Sequence, residues 1–267
     1  MLADITPLVL TFNEAPNIGR TLDRLSWAKN VVVVDSFSTD DTVAIASRYS
    51  NARVFRRKFD THANQWNFGL KETGIRTAWV LALDADYVVS EELAREIACL
   101  APESYVGGYQ VSFRYCIDGR PLRATIYTPV TVLFRHEGAA YVDDGHTQRV
   151  TVSGSIQPLS GLIFHDDRKS LSRWIASQDR YMRLEADKLL AADWSALGWS
   201  GRIRKLRVVA PFAMLCYCLF LRGLILDGRA GLFYSFQRAI AELLLSLRLL
   251  QHDLSKRSDG PSRDHSS

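Results

Sequence analysis

The first hundred residues alternate between two hydrophobic patterns. Residues 8–12, 31–35 and 78–89 are continuous apolar runs rich in Val and Leu. Such runs mark strands covered on both faces, as in a parallel sheet. Residues 53–58 form a weaker run of the same kind. Between the runs the spacing turns helical. Ile18, Leu22 and Leu25 follow Pro16, a residue suited to a first helical turn. Val43, Ile45 and Ala46 follow Thr39 and Asp40, either of which can cap a helix. A third helix carries Asn64, Gln65, Asn67 and Leu70, and Ser90 is placed to cap a fourth. Strand and helix in alternation predict an α/β fold: a Rossmann-like, mostly parallel sheet flanked by helices, with right-handed crossovers.

After Pro102 the pattern changes. Residues 107–117 alternate polar and apolar, Asp118-Gly119 signals a turn, and 130–135, 148–152 and 161–165 are further short strands. This region is expected to be a mixed, partly antiparallel sheet in which a second pocket would be built. Residues 169–192 are helical, with Leu171, Trp174, Ile175, Tyr181 and Leu184 as apolar positions. A basic stretch at 202–207 precedes an apolar run at 208–221 and a Leu-rich segment at 239–250. The division expected is therefore an α/β half over 1–101, a mixed β region over 102–167, a C-terminal helical appendage over 168–255 and a disordered tail over 256–267.

Charge sharpens this division. The net charge is +4, yet from Arg202 onward there are 11 Lys/Arg against 5 Asp/Glu, which leaves the preceding residues with 22 against 24. The basicity belongs to the tail, so no nucleic-acid partner is expected. An apolar run of fourteen residues broken by Pro211 is short for a bilayer span, which needs about 20. Beside a basic stretch it suits a segment lying on an anionic cytoplasmic leaflet. A buried core helix or a dimer interface is the alternative. Four cysteines without metal spacing suit a reducing compartment, and no secretory signal is expected at the N-terminus. The location expected is thus cytoplasmic, peripheral on the inner face of the membrane. The first strand is followed by no Gly-x-Gly-x-x-Gly, and no phosphate loop occurs, which argues against a dinucleotide dehydrogenase and a P-loop NTPase.

The candidate chemistry lies where apolar runs end. The run at 78–89 breaks into Asp84 and Asp86, and open α/β sheets bind ligands at the carboxyl ends of their strands. Two carboxylates there repel unless a cation lies between them, and a hard ion such as Mg²⁺ or Mn²⁺ is the economical choice. Two solvated aspartates are the plainer reading. Val31-Val-Val-Val also ends in a carboxylate, Asp35, followed by a loop of short oxygen-bearing side chains.

Asn13-Glu14, Asp35-Ser36-x-Ser38-Thr39-Asp40 and Asp84-Ala-Asp86 fall at successive strand ends, and this order resembles the family 2 glycosyltransferases, inverting sugar-nucleotide enzymes of GT-A fold. The resemblance covers about residues 5–250. It is closer to a branch containing lipopolysaccharide core glucosyltransferases, through Leu-Thr-Phe-Asn-Glu14, Val-Val-Val-Asp-Ser36, Gln65-x-Asn67, Leu133-Phe-Arg135, Ile163-x-His165 and the run 223–228. It implies a nucleotide-sugar donor such as UDP-glucose and a glycan or lipid-linked acceptor, which accords with the membrane association expected of the C-terminal helices from their charge and length. It assigns nucleotide contacts to Thr11, Asn13, Glu14 and Asp35, ribose or metal to Asp84, and the metal to Asp86. Gln65 and Asn67 would reach the diphosphate or sugar, or else form an exposed polar face. The branch carries His-Glu after the Phe-Arg strand, and here Thr147 follows His146, so the base is sought in Asp144, Asp143 or Glu137. His146 and His165 either position phosphate or metal or are structural. The competing functions are a sugar nucleotidyltransferase and a catalytically altered, membrane-associated nucleotide-sugar-binding protein.

Overall fold

A computed structural model of the chain describes residues 1–144 and 147–258. The chain forms two compact units, residues 1–169 and the remainder from Ser170. In the first unit β1 (Ile5–Thr11), α1 (Ile18–Asp23), β2 (Val31–Asp35), α2 (Thr42–Ala46), β3 (Ala52–Arg56), α3 (His62–Glu72) and β4 (Trp79–Asp84) follow the predicted alternation. Strands β3, β2, β1 and β4 lie side by side and parallel. Each apolar run serves two cores. Val9, Val31, Val33, Leu81 and Leu83 meet Ile18 and Leu22 on one face. Leu8, Leu10, Val32, Val34 and Val80 meet Trp66 and Leu70 of α3 on the other. This two-sided burial explains why these strands read as continuous apolar runs. On the second face α3 lies so near β1 that a Cβ at Gly69 would come within 2.7 Å of Leu8.

The run at 78–89 is not one strand. It breaks at Ala85-Asp86 and resumes as β5 (Tyr87–Val89), which leads through the Ser90 cap into α4 (Glu91–Cys99). Next come β6 (Val106–Ile117), β7 (Arg120–Pro121), β8 (Val130–Arg135), β9 (Ala140–Asp144), β10 (Thr147–Thr151) and β11 (Ser155–His165). Asp118 and Gly119 both take left-handed φ, 50° and 78°, in the two-residue turn between β6 and β7. The main sheet has the order β3-β2-β1-β4-β8-β6-β11-β5, and β9 pairs with β10 separately. Strand β9 was missed in the sequence, because Ala-Tyr-Val-Asp-Asp offers too short an apolar signal. In that order β4 is fourth and β5 is last, yet two residues join them. The sheet must therefore curl until β11 and β5 overhang the carboxyl end of β4.

The second unit contains α5 (Leu171–Ala191), α6 (Trp199–Lys205), α7 (Val209–Cys216) with a widened turn to Leu221, and α8 (Gly228–Ser258). Met182, Ala186 and Leu189 of α5 form its core with Ala241, Leu245 and Leu249 of α8. The basic stretch is largely turned inward. Arg204 pairs with Glu242 at 2.5 Å and Glu185 at 3.1 Å, Arg207 pairs with Asp253 at 2.8 Å, and Lys205 donates to the Ala192 carbonyl. Helix α8 takes in residues 256–258, which were expected to be disordered, and 259–267 lie outside the described residues. Among the described residues no single helix is long and apolar enough to cross a bilayer. Val209–Leu221 and Leu224–Lys256 meet that length only as a pair bent by 71°.

Candidate active site

The ends of β1 and β2 are laced together by short side chains. Asn13 has a left-handed φ of 54°; its N–H donates to Ser38 Oγ at 2.7 Å and its Oδ1 accepts from Thr39 N at 2.7 Å. The Glu14 N–H donates to Thr42 Oγ1 at 2.7 Å. Asp35 is fully buried and accepts from Ser38 N at 3.0 Å, with Arg56 Nε 3.5 Å away. Gln65 joins this edge from α3, accepting from Arg57 at 2.7 Å and donating to Ser36 Oγ at 2.9 Å. Phe12 and Phe37 stand about half exposed beside these polar groups. Thr11 Oγ1 is buried with no partner, an orphaned group that favours a ligand atom at the end of β1.

The curl of the sheet brings a second set of groups to the same place. Carboxylate oxygens of Glu14, Asp86 and Asp167 lie within 4.8 Å of one another. Lys169 Nζ lies 2.6 Å from Glu14 and 3.6 Å from Asp167. Asn17 Nδ2 donates to Glu14 at 2.7 Å and Asp167 at 3.3 Å. His165 Nε2 lies 3.2 Å from Asp86 Oδ2, while His165 Nδ1 is buried without a partner. The rings of Tyr115, Tyr87 and Tyr127 surround His165 at 4.7, 5.2 and 5.5 Å. Behind this centre Asp166 fixes the returning chain through Arg20, Arg168 and the Gly119 N–H.

The electrostatics are lopsided. Glu14, Asp84, Asp86 and Asp167 face one lysine and one histidine. Burial, then the charge of Asp86, pushes Glu14 up to about 7 against the pull of Lys169. The same two causes push Asp84 up to about 6, although Tyr87 hydrogen-bonds to it. Burial works to raise Asp86 too, but the charge and hydrogen bond of His165, with Lys169, outweigh it and hold Asp86 at about 2. Burial opposes the charges on Lys169 and His165, yet the surrounding carboxylates drive both upward. Two of the four carboxyls are thus pushed toward neutrality, and a bound divalent cation would reverse that push. Three converging oxygen donors suit a hard ion of the Mg²⁺ or Mn²⁺ kind.

The structure therefore gathers Thr11, Asn13, Glu14, Asp35, Asp84 and Asp86 at one sheet edge, with Gln65 beside them. Asp84 lies outside the three-carboxylate group, in which Glu14 and Asp167 join Asp86. The other assignments divide. Both ends of the Asn67 amide are engaged by the Tyr141 backbone at 2.9 Å, so it is neither an exposed polar group nor free for a diphosphate. Asp143 Oδ1 accepts from Ala63 N at 3.0 Å, capping the amino end of α3. Asp144 follows at the end of β9; its side chain, like His146 and the side chain of Thr147, lies outside the described residues. Glu137 is in the wrong place for a base. It follows Arg135, which pairs with Trp79 at the opposite end of β4 from Asp84, roughly 17 Å away at ~3.4 Å per residue. Asp167, Lys169 and Asn17 were missed, although an acidic and basic run directly after His165, at a strand's carboxyl end, was a usable signal.

Three kinds of comparison bear on this arrangement. The profile of the family described as "Glycosyl transferase family 2" matches residues 8–157. The lipopolysaccharide core biosynthesis glycosyltransferase LpsC of Rhizobium meliloti is 24% identical over 94% of this chain and 94% of its own length. An uncharacterized glycosyltransferase of Rickettsia bellii is 28% identical over 70% of this chain and 67% of its own. Among solved structures, S. aureus TarS 1–349 in complex with UDP-GlcNAc aligns with a TM-score of 0.49 and 16% identity, covering 95% of this chain and 92% of that one.

Proposed function

The chain belongs to glycosyl transferase family 2, and from that premise we propose an inverting transfer of a sugar from a UDP-sugar to a glycan or lipid-linked acceptor of cell-surface polysaccharide synthesis. The acceptor class is suggested by the name of the R. meliloti relative. The uracil ring would lie between the ends of β1 and β2 with its face near Phe12 or Phe37, and its N–H would donate to Asp35 once the Ser38 loop that encloses that carboxylate withdraws. Thr11, Asn13 and Glu14 would line the nucleoside, and Gln65 would hold the loop that carries Ser36. The diphosphate would lie over Asp84 and Asp86.

The Glu14, Asp86 and Asp167 group would hold Mg²⁺ or Mn²⁺, with Asp84 beside it. That cation would offset the charge growing on the leaving diphosphate, a role worth several kcal/mol. Lys169 balances part of the carboxylate charge, and His165 orients Asp86. Inversion requires a base across the sugar from the leaving group, and Asp144, at the end of β9, takes the proton of the acceptor hydroxyl. Asp143 supports it by fixing the strand to α3. The apolar exposed residues Phe212, Phe220, Leu221 and Leu226 would rest the chain on the inner face of the cell membrane.

The reading is carried by one observation: buried carboxylates outnumber the cations that face them. Its test is UDP release from a panel of UDP-sugars with acceptor lipid extracts, with and without Mn²⁺ or Mg²⁺. Cation-dependent release that falls roughly 100-fold or more in Asp144→Asn is expected. Release of pyrophosphate instead would make the protein a nucleotidyltransferase, and full turnover in chelator would reject the cation.

A further inference from the structure

Helix α8 buries one face against its own unit through Ala241, Leu245 and Leu249. Its opposite face is apolar as well. From Leu232 to Leu250, every exposed side chain is Leu, Phe or Ile. The exposed positions Phe233, Phe236, Ile240, Leu243, Leu247, Leu250 and Leu254 are spaced 3, 4, 3, 4, 3 and 4 residues apart. That is an unbroken 3.5-residue repeat over three heptads, the seam of a coiled coil. We propose that this seam is a self-association surface, on which α8 of a second copy of the chain packs across a two-fold axis.

Three features favour a second copy over lipid. The stripe is only as wide as two heptad positions, whereas a helix lying in a bilayer surface presents a broader arc. The two arginines along the middle of the stripe face inward: Arg248 pairs with Asp179, and Arg238 lies over the rings of Trp174 and Tyr234 at 5.7 and 5.4 Å, so that among the described residues of α8 only Arg229 and Lys256, at its ends, are exposed cations. A surface-lying helix uses such residues to reach headgroups. The area also fits. These seven side chains and Leu232 are between 37% and 65% exposed. At about 200 Å² each they offer roughly 700 Å² per copy, near the ~800 Å² that each partner of a standard interface buries. A two-fold interface is self-complementary, and a regular apolar seam meets that condition without further design.

The test is the mass of the full-length chain by light scattering at micromolar concentration, beside Leu243→Lys/Leu247→Lys and Leu243→Ala/Leu247→Ala. The expected result is a dimer for the parent chain, a monomer of unchanged helical circular dichroism for the lysine variant, and a dimer at least tenfold weaker for the alanine variant. The alanine pair keeps the test open if lysine unfolds the unit. A monomeric parent chain overturns the proposal. So does a dimer that survives both substitutions, since another face then holds it. Flotation with neutral phosphatidylcholine vesicles that is lost in the lysine variant, with no change of mass, assigns the face to lipid and also overturns it.

Discussion

The strand-end cluster of the first unit and the helical second unit treat buried charge in opposite ways. In the second, each of the buried acids Glu185 and Glu242 shares the guanidinium of Arg204, while Asp253 and Asp179 pair with Arg207 and Arg248. In the first, Glu14, Asp84, Asp86 and Asp167 converge on Lys169 and His165, and two of the carboxyls are pushed far above their ordinary range. Balanced pairs hold helices together. An imbalance is costly for the empty protein and useful only when a ligand of opposite charge arrives. The contrast separates a scaffold from a site without reference to any motif.

The largest break in that contrast is Asp86→Ala. It removes a carboxylate held ionised at the centre of the cluster, and sugar transfer should fall by roughly 10³-fold or more while the thermal midpoint changes little or rises. A variant that keeps most of its transfer rate would detach the cluster from the chemistry. Arg204→Met is the mirror experiment. It leaves Glu242 and Glu185 buried without their cation, and chemical denaturation should register a loss of about 3–5 kcal/mol, with transfer by the folded fraction unaltered.

The next effect is one of pH. Glu14 and Asp84 bind protons more tightly in the folded chain than in the unfolded one, with values of about 7 and 6. Their protonated forms therefore add stability that is complete at about pH 4 and lost as the pH rises through 6 to 7. Asp86 acts in the opposite direction, but only below about pH 4. The chelated protein should melt a few degrees lower at pH 7.5 than at pH 5.5, and Mn²⁺ should recover the difference at the higher pH. Glu14→Gln should flatten the dependence, and a slope of the other sign would mean that the imbalance is not there. The smallest effect is Ser90→Ala, which removes the hydroxyl that caps α4 and should cost ~1 kcal/mol in denaturation.

Much of the first unit was legible because its strands are buried on both faces and leave continuous runs in the sequence. Asp35, Asp84 and Asp86 stood out for the same reason, since a carboxylate that ends such a run is conspicuous. Asp167 and Lys169 were harder to find. They follow β11, about eighty residues after Asp86, and only the curl that brings β5 beside β11 places them there. The break at the two aspartates was legible, but that Tyr87–Val89 resumes as a separate strand was not, because those residues read as the tail of the same apolar run. The basic stretch at 202–207 looked like a lipid-facing patch because sequence spacing does not show Arg204 meeting Glu242, thirty-eight residues later. Asn67 read as either a ligand-facing amide or an exposed polar position, and its amide clamps β9, a contact set by a strand the pattern did not disclose.

That clamp has a wider effect. Two strands alone are barely stable in water, and β9 with β10 forms such a ribbon. Asn67 grips it twice, Trp66 stacks on Tyr141 at 5.1 Å, and Asp143 holds the Ala63 N–H. Helix and ribbon are thereby one rigid piece, and neither can tilt alone without losing three hydrogen bonds of about 1 kcal/mol each. The same helix carries Gln65, which steadies the loop after β2. Ala63 and Gln65 lie in the same first turn of α3, so the loop after β2 and Asp143 of β9 are tied to one point of that helix, and a displacement of either is felt by the other.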